Sequence, residues 1–392
     1  MLPRLKSLNC LVGDGELIVS ADPKERVRLA DRDGRVLALL QLLRDGQRDV
    51  SELAGELKAA GLATTVDDVA SAVAELDRLG WIEDSAAPEV LGDHQRERYS
   101  SNLAFFDAFT SLSLSREEPQ ARLRQAHVLV LGAGGLGSAV LMNLAGLGIG
   151  AVTVVDQDLV ELRNFARQFT YTEAEIGQPK ADRVAAWLRA FDPTVRVVSF
   201  LRRVEAPQDV TDLLAGTPDT GPVDLVVSAI DEPDEVDRWV NQACVAAGVP
   251  FIRGGLAHTQ GLYWSVDPGR SACRECLERH RARLAEGVDR DAVNWPRVIV
   301  ADRVNRAIGP VASVLGGLVA MEALRYLTGL VAPVSAGRYQ LVDFATDCGV
   351  RSDAWAADPD CPVCASAPVR SERATVRDTA DSERVVETSA SR

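Results

Sequence analysis

Positive charge is in short supply. The 392-residue chain sets 43 lysines and arginines against 57 aspartates and glutamates, for a net charge of −14. A nucleic-acid partner needs a basic footprint for its phosphates, so this balance argues against one. No run of about 18 apolar residues stands out, which argues against a membrane partner. The opening "MLPRLKSLNCLVGDGE" lacks the apolar stretch of a secretion signal, so the expected location is cytoplasmic. Histidine is also sparse. His94, His127, His258 and His280 show no metal-ligand or triad spacing and read as ordinary polar residues. No internal repeat is visible. What is present, 46% hydrophobic and 26% charged residues, is the composition of a soluble globular protein large enough for more than one domain.

Three regions separate by pattern, and the expected boundaries are 1–88, 89–365 and 366–392. In the first, "GELIVSA" and "ERVRLAD" read as short strands, with Asp33-Gly34 as a turn signal. Val36, Leu39, Leu40 and Leu43 then repeat at helical spacing. Asp49 with Glu52, and Thr65 with Asp68, mark the starts of two more helices. Val69, Ala72, Val73 and Leu76 face the last helix inward, and "LGWIED" returns as a wing. This is the pattern of a small winged helix-turn-helix domain. In the second region "HVLVLGAG", "AVTVVDQD", "VRVVSFL" and "VDLVVSAID" are buried parallel strands alternating with helices, a doubly wound Rossmann-like α/β sheet. The last residues are polar and aperiodic, the composition of a disordered tail.

Gly132, Gly134 and Gly137 supply G-x-G-x-x-G between a strand and a helix. The first permits the tight turn, the second admits a phosphate, and the third lets helix and strand approach. Asp156 ends the next strand, about 20 residues on, where an acid meets a ribose hydroxyl. Alone, this unit binds NAD as readily as ATP. The following stretch separates the two. "DQDLVELRNFARQF" and "GQPKADR" bring Asn164, Arg167, Gln168 and Lys180, and cations beside phosphates serve phosphoryl or nucleotidyl transfer, which hydride transfer does not need.

Seven cysteines include two C-x-x-C pairs, Cys273 with Cys276 and Cys361 with Cys364. Four thiolates suit tetrahedral zinc, and a site with no open position is structural.

Together, G-x-G-G-L-G, D-x-D-x-V-x-x-x-N-x-x-R-Q and G-Q-P-K resemble the ThiF/MoeB adenylyltransferases, relatives of the ubiquitin-activating enzymes, from about Arg98 to Cys364. The resemblance implies that the nucleotide is ATP. It places Gly135 and Asp156 against ATP, Asn164 and Arg167 at its phosphates, and Lys180 at the α- and β-phosphates. It makes Asp231, in "SAIDEP", the magnesium (Mg2+) aspartate, so that Arg167, Lys180 and Asp231 carry catalysis. It also implies the zinc (Zn2+) clip and a homodimer. Two features depart from the family. The segment after Cys276 lacks the thioester cysteine of some members, and Cys10, Cys244 and Cys348 show no activating neighbour. "RYSSN" has Ser101 where the family carries an arginine that reaches the partner's ATP; either Arg96 or Arg98 substitutes, or the trans arginine is missing.

Residues 1–90 hold more acids than bases, which opposes a DNA-binding wing. The domain resembles the PqqD-like leader-peptide recognition elements of ribosomal peptide (RiPP) pathways. There a sheet edge near "GELIVSA" and "ERVRLAD" would take an extended peptide as an added strand. Joined to an adenylating domain, it resembles the microcin C-type (MccB-type) peptide adenylyltransferases. The expectation is therefore ATP-dependent adenylation of a carboxylate on a precursor peptide held by residues 1–88. The alternatives are activation of a sulfur-carrier C-terminus and a non-catalytic leader-binding protein.

Overall fold

The computed structural model describes residues 1–21, 26–257, 259–286, 307–365 and 367–368. His258 and residues 369–392 of the expected tail lie outside the described residues. The backbone groups into two compact units, one of residues 1–121 and one from Arg122 onward.

In the first unit, local side-chain chemistry starts the first three helices. The Asp31 carboxylate accepts from the N–H groups of Val36 (2.9 Å) and Leu37 (3.1 Å) at the head of α1 (Arg35–Leu42). Asp49 and Glu52 exchange backbone bonds of 2.9 Å each at the start of α2 (Val50–Ala59), a complete capping box. Thr65 and Asp68 do the same for α3 (Val66–Arg78). Leu39, Leu40 and Leu43 join Leu53, Leu57, Val69, Val73 and Leu76 in one core with Leu17, Val19, Trp81 and Ile82.

The strands β1 (Pro3–Leu5), β2 (Asn9–Gly13), β3 (Glu16–Ser20), β4 (Val27–Ala30) and β5 (Ile82–Asp84) make two antiparallel sheets, β1-β5 and β2-β3-β4. Thus "LGWIED" returns as a strand, and its partner is the start of the chain. Strand β2 was not expected, because all five of its residues are exposed and it carries no inward face. It takes "GELIVSA" off the sheet edge, while β4 within "ERVRLAD" stands at an edge as expected. β3 is central and its backbone is engaged on both sides, so among the described residues of this sheet β2 and β4 are the edge strands. Two short helices follow, α4 (Asp93–Arg98) and α5 (Ser100–Phe106). The compact unit runs past residue 88 because Lys6 Nζ donates to the carbonyls of Gly80 (2.9 Å), Asp107 (2.9 Å) and Thr110 (2.7 Å). A helix α6 (Glu117–Gln125) bridges the boundary.

The second unit is built on an eight-stranded sheet of β6 (His127–Leu131), β7 (Ala151–Asp156), β8 (Arg196–Leu201), β9 (Leu225–Ser228), β10 (Phe251–Ala257), β11 (Gln260–Val266), β12 (Arg338–Asp343) and β13 (Val350–Ala354). Their order is β13-β12-β11-β10-β9-β6-β7-β8. The four strands expected from sequence are present and parallel, and β10 continues them in parallel with β9. Beyond β10 the sheet turns antiparallel. Order reverses between β6 and β9, the switch point where doubly wound sheets open a crevice at their carboxyl ends.

Among the described residues six α-helices accompany the sheet: α7 (Gly135–Leu147), α8 (Lys180–Phe191), α9 (Pro207–Leu214), α10 (Val236–Ala247), α11 (Arg274–Glu286) and α12 (Gly309–Thr328). Alternate strand residues Leu129, Leu131 and Val226 face Val210, Leu213 and Leu214 of α9 and Val240 and Cys244 of α10. Helix α12 packs along α7. By length and composition α12 is apolar enough to cross a membrane, although interruption by Glu322 and Arg325 hides this from a search for an unbroken apolar run. Here Ala312, Leu315, Val319, Ala323 and Leu327 are buried, as in a core helix.

Candidate active site

The glycine loop leaves β6 and enters α7. Gly132 has φ 94°, and a Cβ there would lie 2.8 Å from the carbonyl oxygen of Ala229. At Gly137 a Cβ would fall 1.8 Å from the Gly132 carbonyl oxygen, so no other residue fits. No side chain caps the N-terminus of α7 at Gly134, which leaves that helix end to an anion.

A cleft of about 480 Å³ opens there. Of the residues singled out by sequence, Gly134, Gly135, Arg167, Gln168, Lys180 and Asp231 line it. Gly132 and Gly137 shape the turn behind it. Asp156 and Asn164 are not among the lining residues, and each braces the backbone that is. Asp156 Oδ2 accepts from Ala133 N at 2.6 Å and Oδ1 from Asp158 N at 2.7 Å. Burial holds this carboxyl above its usual range, against the opposing pull of those two N–H groups and of Lys180. Asn164 takes the Glu161 N–H on its Oδ1 at 2.9 Å, and its carbonyl receives Arg167 N (3.0 Å) and Gln168 N (3.1 Å).

The cations differ in setting. Arg167 lies over the loop, with its Cδ 3.0 Å from where a Gly135 Cβ would be. Lys180 opens α8 and is nearly buried, its Nζ donating to Asp158 Oδ2 at 2.7 Å. Several polar atoms nearby have no protein partner: Gln168 Oε1, the Tyr171 hydroxyl and Ser228 Oγ are buried and unsatisfied. Burial, with Asp156 beside it, raises the Tyr171 hydroxyl and keeps it a neutral donor. Orphaned donors and acceptors next to an uncapped helix start are what a polar ligand such as ATP would satisfy.

Asp231 follows β9 and is 74% exposed at its side chain. One of its oxygens is engaged by a residue that the sequence did not reveal. Arg253 on β10 donates from Nη2 to Asp231 Oδ1 and from Nε to Asp237 Oδ1, each at 2.7 Å. Asp231 Oδ2 stays open, and a hard cation held by one carboxylate with water and phosphate oxygens fits it. Asp158, Glu232, Gly254 and Gly255 also line the cleft unforeseen. "DQD" was a legible signal for Asp158, whereas "RGG" carried none for Arg253.

The four paired cysteines meet. Their sulfurs all lie within 4.8 Å of one another. Cys273 Sγ is 3.9 Å from Cys276 Sγ and 3.7 Å from Cys361 Sγ, and Cys276 Sγ is 3.4 Å from Cys364 Sγ. Sulfurs about 2.3 Å from a tetrahedral zinc stand roughly 3.8 Å apart, so the donors fit that metal. Burial pushes the Cys273 thiol up to about 11, so metal binding there would release a proton. Cys244 is buried in the core, as expected, and burial raises its thiol far above the usual range. Cys10 and Cys348 are exposed. Arg96 is held locally, donating to Leu91 O and Asp93 Oδ1 at 2.6 Å each, and Arg98 lies 5.9 Å from the Tyr99 ring centroid.

Known proteins share this architecture. The sulfur carrier protein adenylyltransferase of Thermus thermophilus is 33% identical over 264 residues, covering 65% of this chain and 88% of that protein. The crystal structure of E. coli MccB with ATP superimposes with a TM-score of 0.70 at 20% identity, covering 92% of this chain and 99% of MccB. MccB with AMPCPP and MccA gives the same TM-score at 19% identity, over 93% of this chain. The model of the ThiF family matches residues 100–363, more than half of the sequence, and the chain therefore belongs to the ThiF family and is an ATP-dependent adenylyltransferase.

Proposed function

We propose that this enzyme adenylates a carboxylate of a ribosomally made precursor peptide. One carboxylate oxygen bonds to the α-phosphorus of ATP. The bond from that phosphorus to the bridging oxygen breaks, and pyrophosphate leaves with the electron pair. The acyl-adenylate then awaits a nucleophile. Arg167 and Lys180 supply positive charge where negative charge develops on the phosphates, and Asp231 would hold magnesium against them. Asp156, whose two oxygens each accept one backbone N–H, would act by bracing the loop against which the nucleotide lies. The observation that carries the reading is the meeting of Gly134, Gly135, Arg167, Lys180 and Asp231 in one cleft at the sheet's switch point.

A peptide substrate is supported by the front unit and by likeness to MccB, which has been solved with ATP and with MccA. Strand β2 presents an unpaired edge with Leu11 66% and Val12 64% exposed, suited to an added strand gripped by main-chain bonds and apolar contacts. A homodimer, with a cation from the partner's Arg96–Arg98 region standing in for the family arginine, would complete each site. Calorimetry of the intact protein against precursor peptide and against duplex DNA tests the front unit. Peptide binding that tolerates moderate salt is expected, and tight, salt-sensitive DNA binding without peptide affinity would refute it.

A second reading is favoured by the 33% identity to a sulfur-carrier enzyme: the carboxylate is then the C-terminus of a small carrier protein. Removing the front unit's substrate contacts would leave that activity intact.

A further inference from the structure

A second cavity, of about 400 Å³, opens beside the nucleotide cleft and shares Asp231, Gly255 and Leu256 with it. Its floor is the antiparallel part of the sheet. Arg253 stands opposite Trp264, Gly255 opposite Leu262, Leu262 opposite Leu341, and Tyr339 opposite Asp353, so these side chains share one face. Leu262, Trp264 and Leu341 give the surface an apolar strip, Arg281 and Asp353 also line it, and Arg253 enters it with a side chain only 10% exposed.

We infer that Arg253 seats the carboxylate to be activated, with the apolar chain that carries it lying over Leu262, Trp264 and Leu341. This rests on the adenylation reading. Asp237, in the first turn of α10, anchors Nε and fixes the plane of the guanidinium. The opposite edge, through Nη2, is held by Asp231, a carboxylate that also faces the nucleotide. A divalent cation on the open Oδ2 of Asp231 draws charge from that carboxylate and loosens its hold on Arg253. Without that cation the cluster of one arginine and two aspartates is net negative and repels a carboxylate. With it the cluster turns positive, and Nη2 gains a vacancy that an incoming carboxylate fills by the same contact that Asp231 makes now. Substrate binding is thereby made to follow nucleotide binding.

The test uses the full-length protein, fluorine NMR of 4-(4-fluorophenyl)butyrate, and its carboxamide as control, with and without magnesium and a non-hydrolysable α,β-methylene ATP analogue. The carboxylate should bind wild-type protein only with nucleotide, and the amide should not bind. Arg253→Gln should weaken the carboxylate about tenfold or more and leave nucleotide affinity unchanged, with Arg253→Lys intermediate. Asp231→Asn should bind the carboxylate without nucleotide, a gain that a merely structural Arg253 would not produce and that remains readable if Arg253→Gln does not fold. Equal binding of carboxylate and amide, indifference to both Arg253 substitutions, or no gain in Asp231→Asn each overturns the inference. Failure of the wild-type protein to bind the nucleotide analogue would instead refute the adenylation reading, while the gain in Asp231→Asn would still stand for Arg253.

Discussion

At the scale of single residues, the chain's economy with lysine is informative. Beyond Lys58 its only lysine is Lys180, and every other positive side chain is arginine. An ammonium is a compact point charge with three rotatable donors, which suits the nearly buried spot beside Asp158, where the proposed reading sets a phosphate, better than a planar fork. Asp231 is the complementary position. Asp231→Ala should lower magnesium-dependent pyrophosphate release by roughly a hundredfold or more while circular dichroism stays unchanged. His127 gives a stability prediction. Its Nδ1 lies 2.8 Å from the Gly221 carbonyl and its Nε2 2.9 Å from Thr153 Oγ1, and burial pushes the imidazole below its ordinary 6.5. The unfolded chain therefore takes up a proton there before the folded one does. Stability from this site is complete above about pH 6.5 and is lost as pH falls toward the depressed folded value. Denaturant titrations across that window should show the decline, with a shallower slope in His127→Gln. The single residues identified from sequence were those inside a contiguous motif. Arg253 escaped because its partner Asp231 lies far off in sequence, just after β9, and only the pairing of β9 with β10 brings them together.

At the scale of elements, sequence was most informative where structure is local. Caps such as Asp49–Glu52 and Thr65–Asp68 act within one turn, and the four parallel strands are continuous apolar runs, so both were legible. The antiparallel strands β11 to β13 were not. They mix polar with apolar residues, and β13 is exposed throughout, so no period betrays them. The cysteine cluster joins the start of α11 to the segment after β13, which long-range pairing of two C-x-x-C motifs did disclose. Metal analysis should find one zinc per chain. Chelation should lower the melting temperature by roughly ten degrees or more, since a structural zinc is worth several kcal/mol and each is about 2–4 °C in a domain of this size. Unchanged melting in the absence of zinc would remove the clip.

At the scale of the whole molecule, an adenylating unit follows a small domain whose free sheet edge is suited to a peptide. A dimer is expected, and light scattering at micromolar concentration that finds a fully active monomer would contradict it. Adenylation is distinguished by where ATP is cut. The direct measurement is to incubate the protein with magnesium, precursor peptide and ATP labelled separately at the α- and γ-phosphates. The account predicts γ-label released as pyrophosphate, with the α-label passing through a peptidyl adenylate to AMP. Release of γ-label as orthophosphate, leaving the α-label in ADP, would mean phosphorylation and would contradict it.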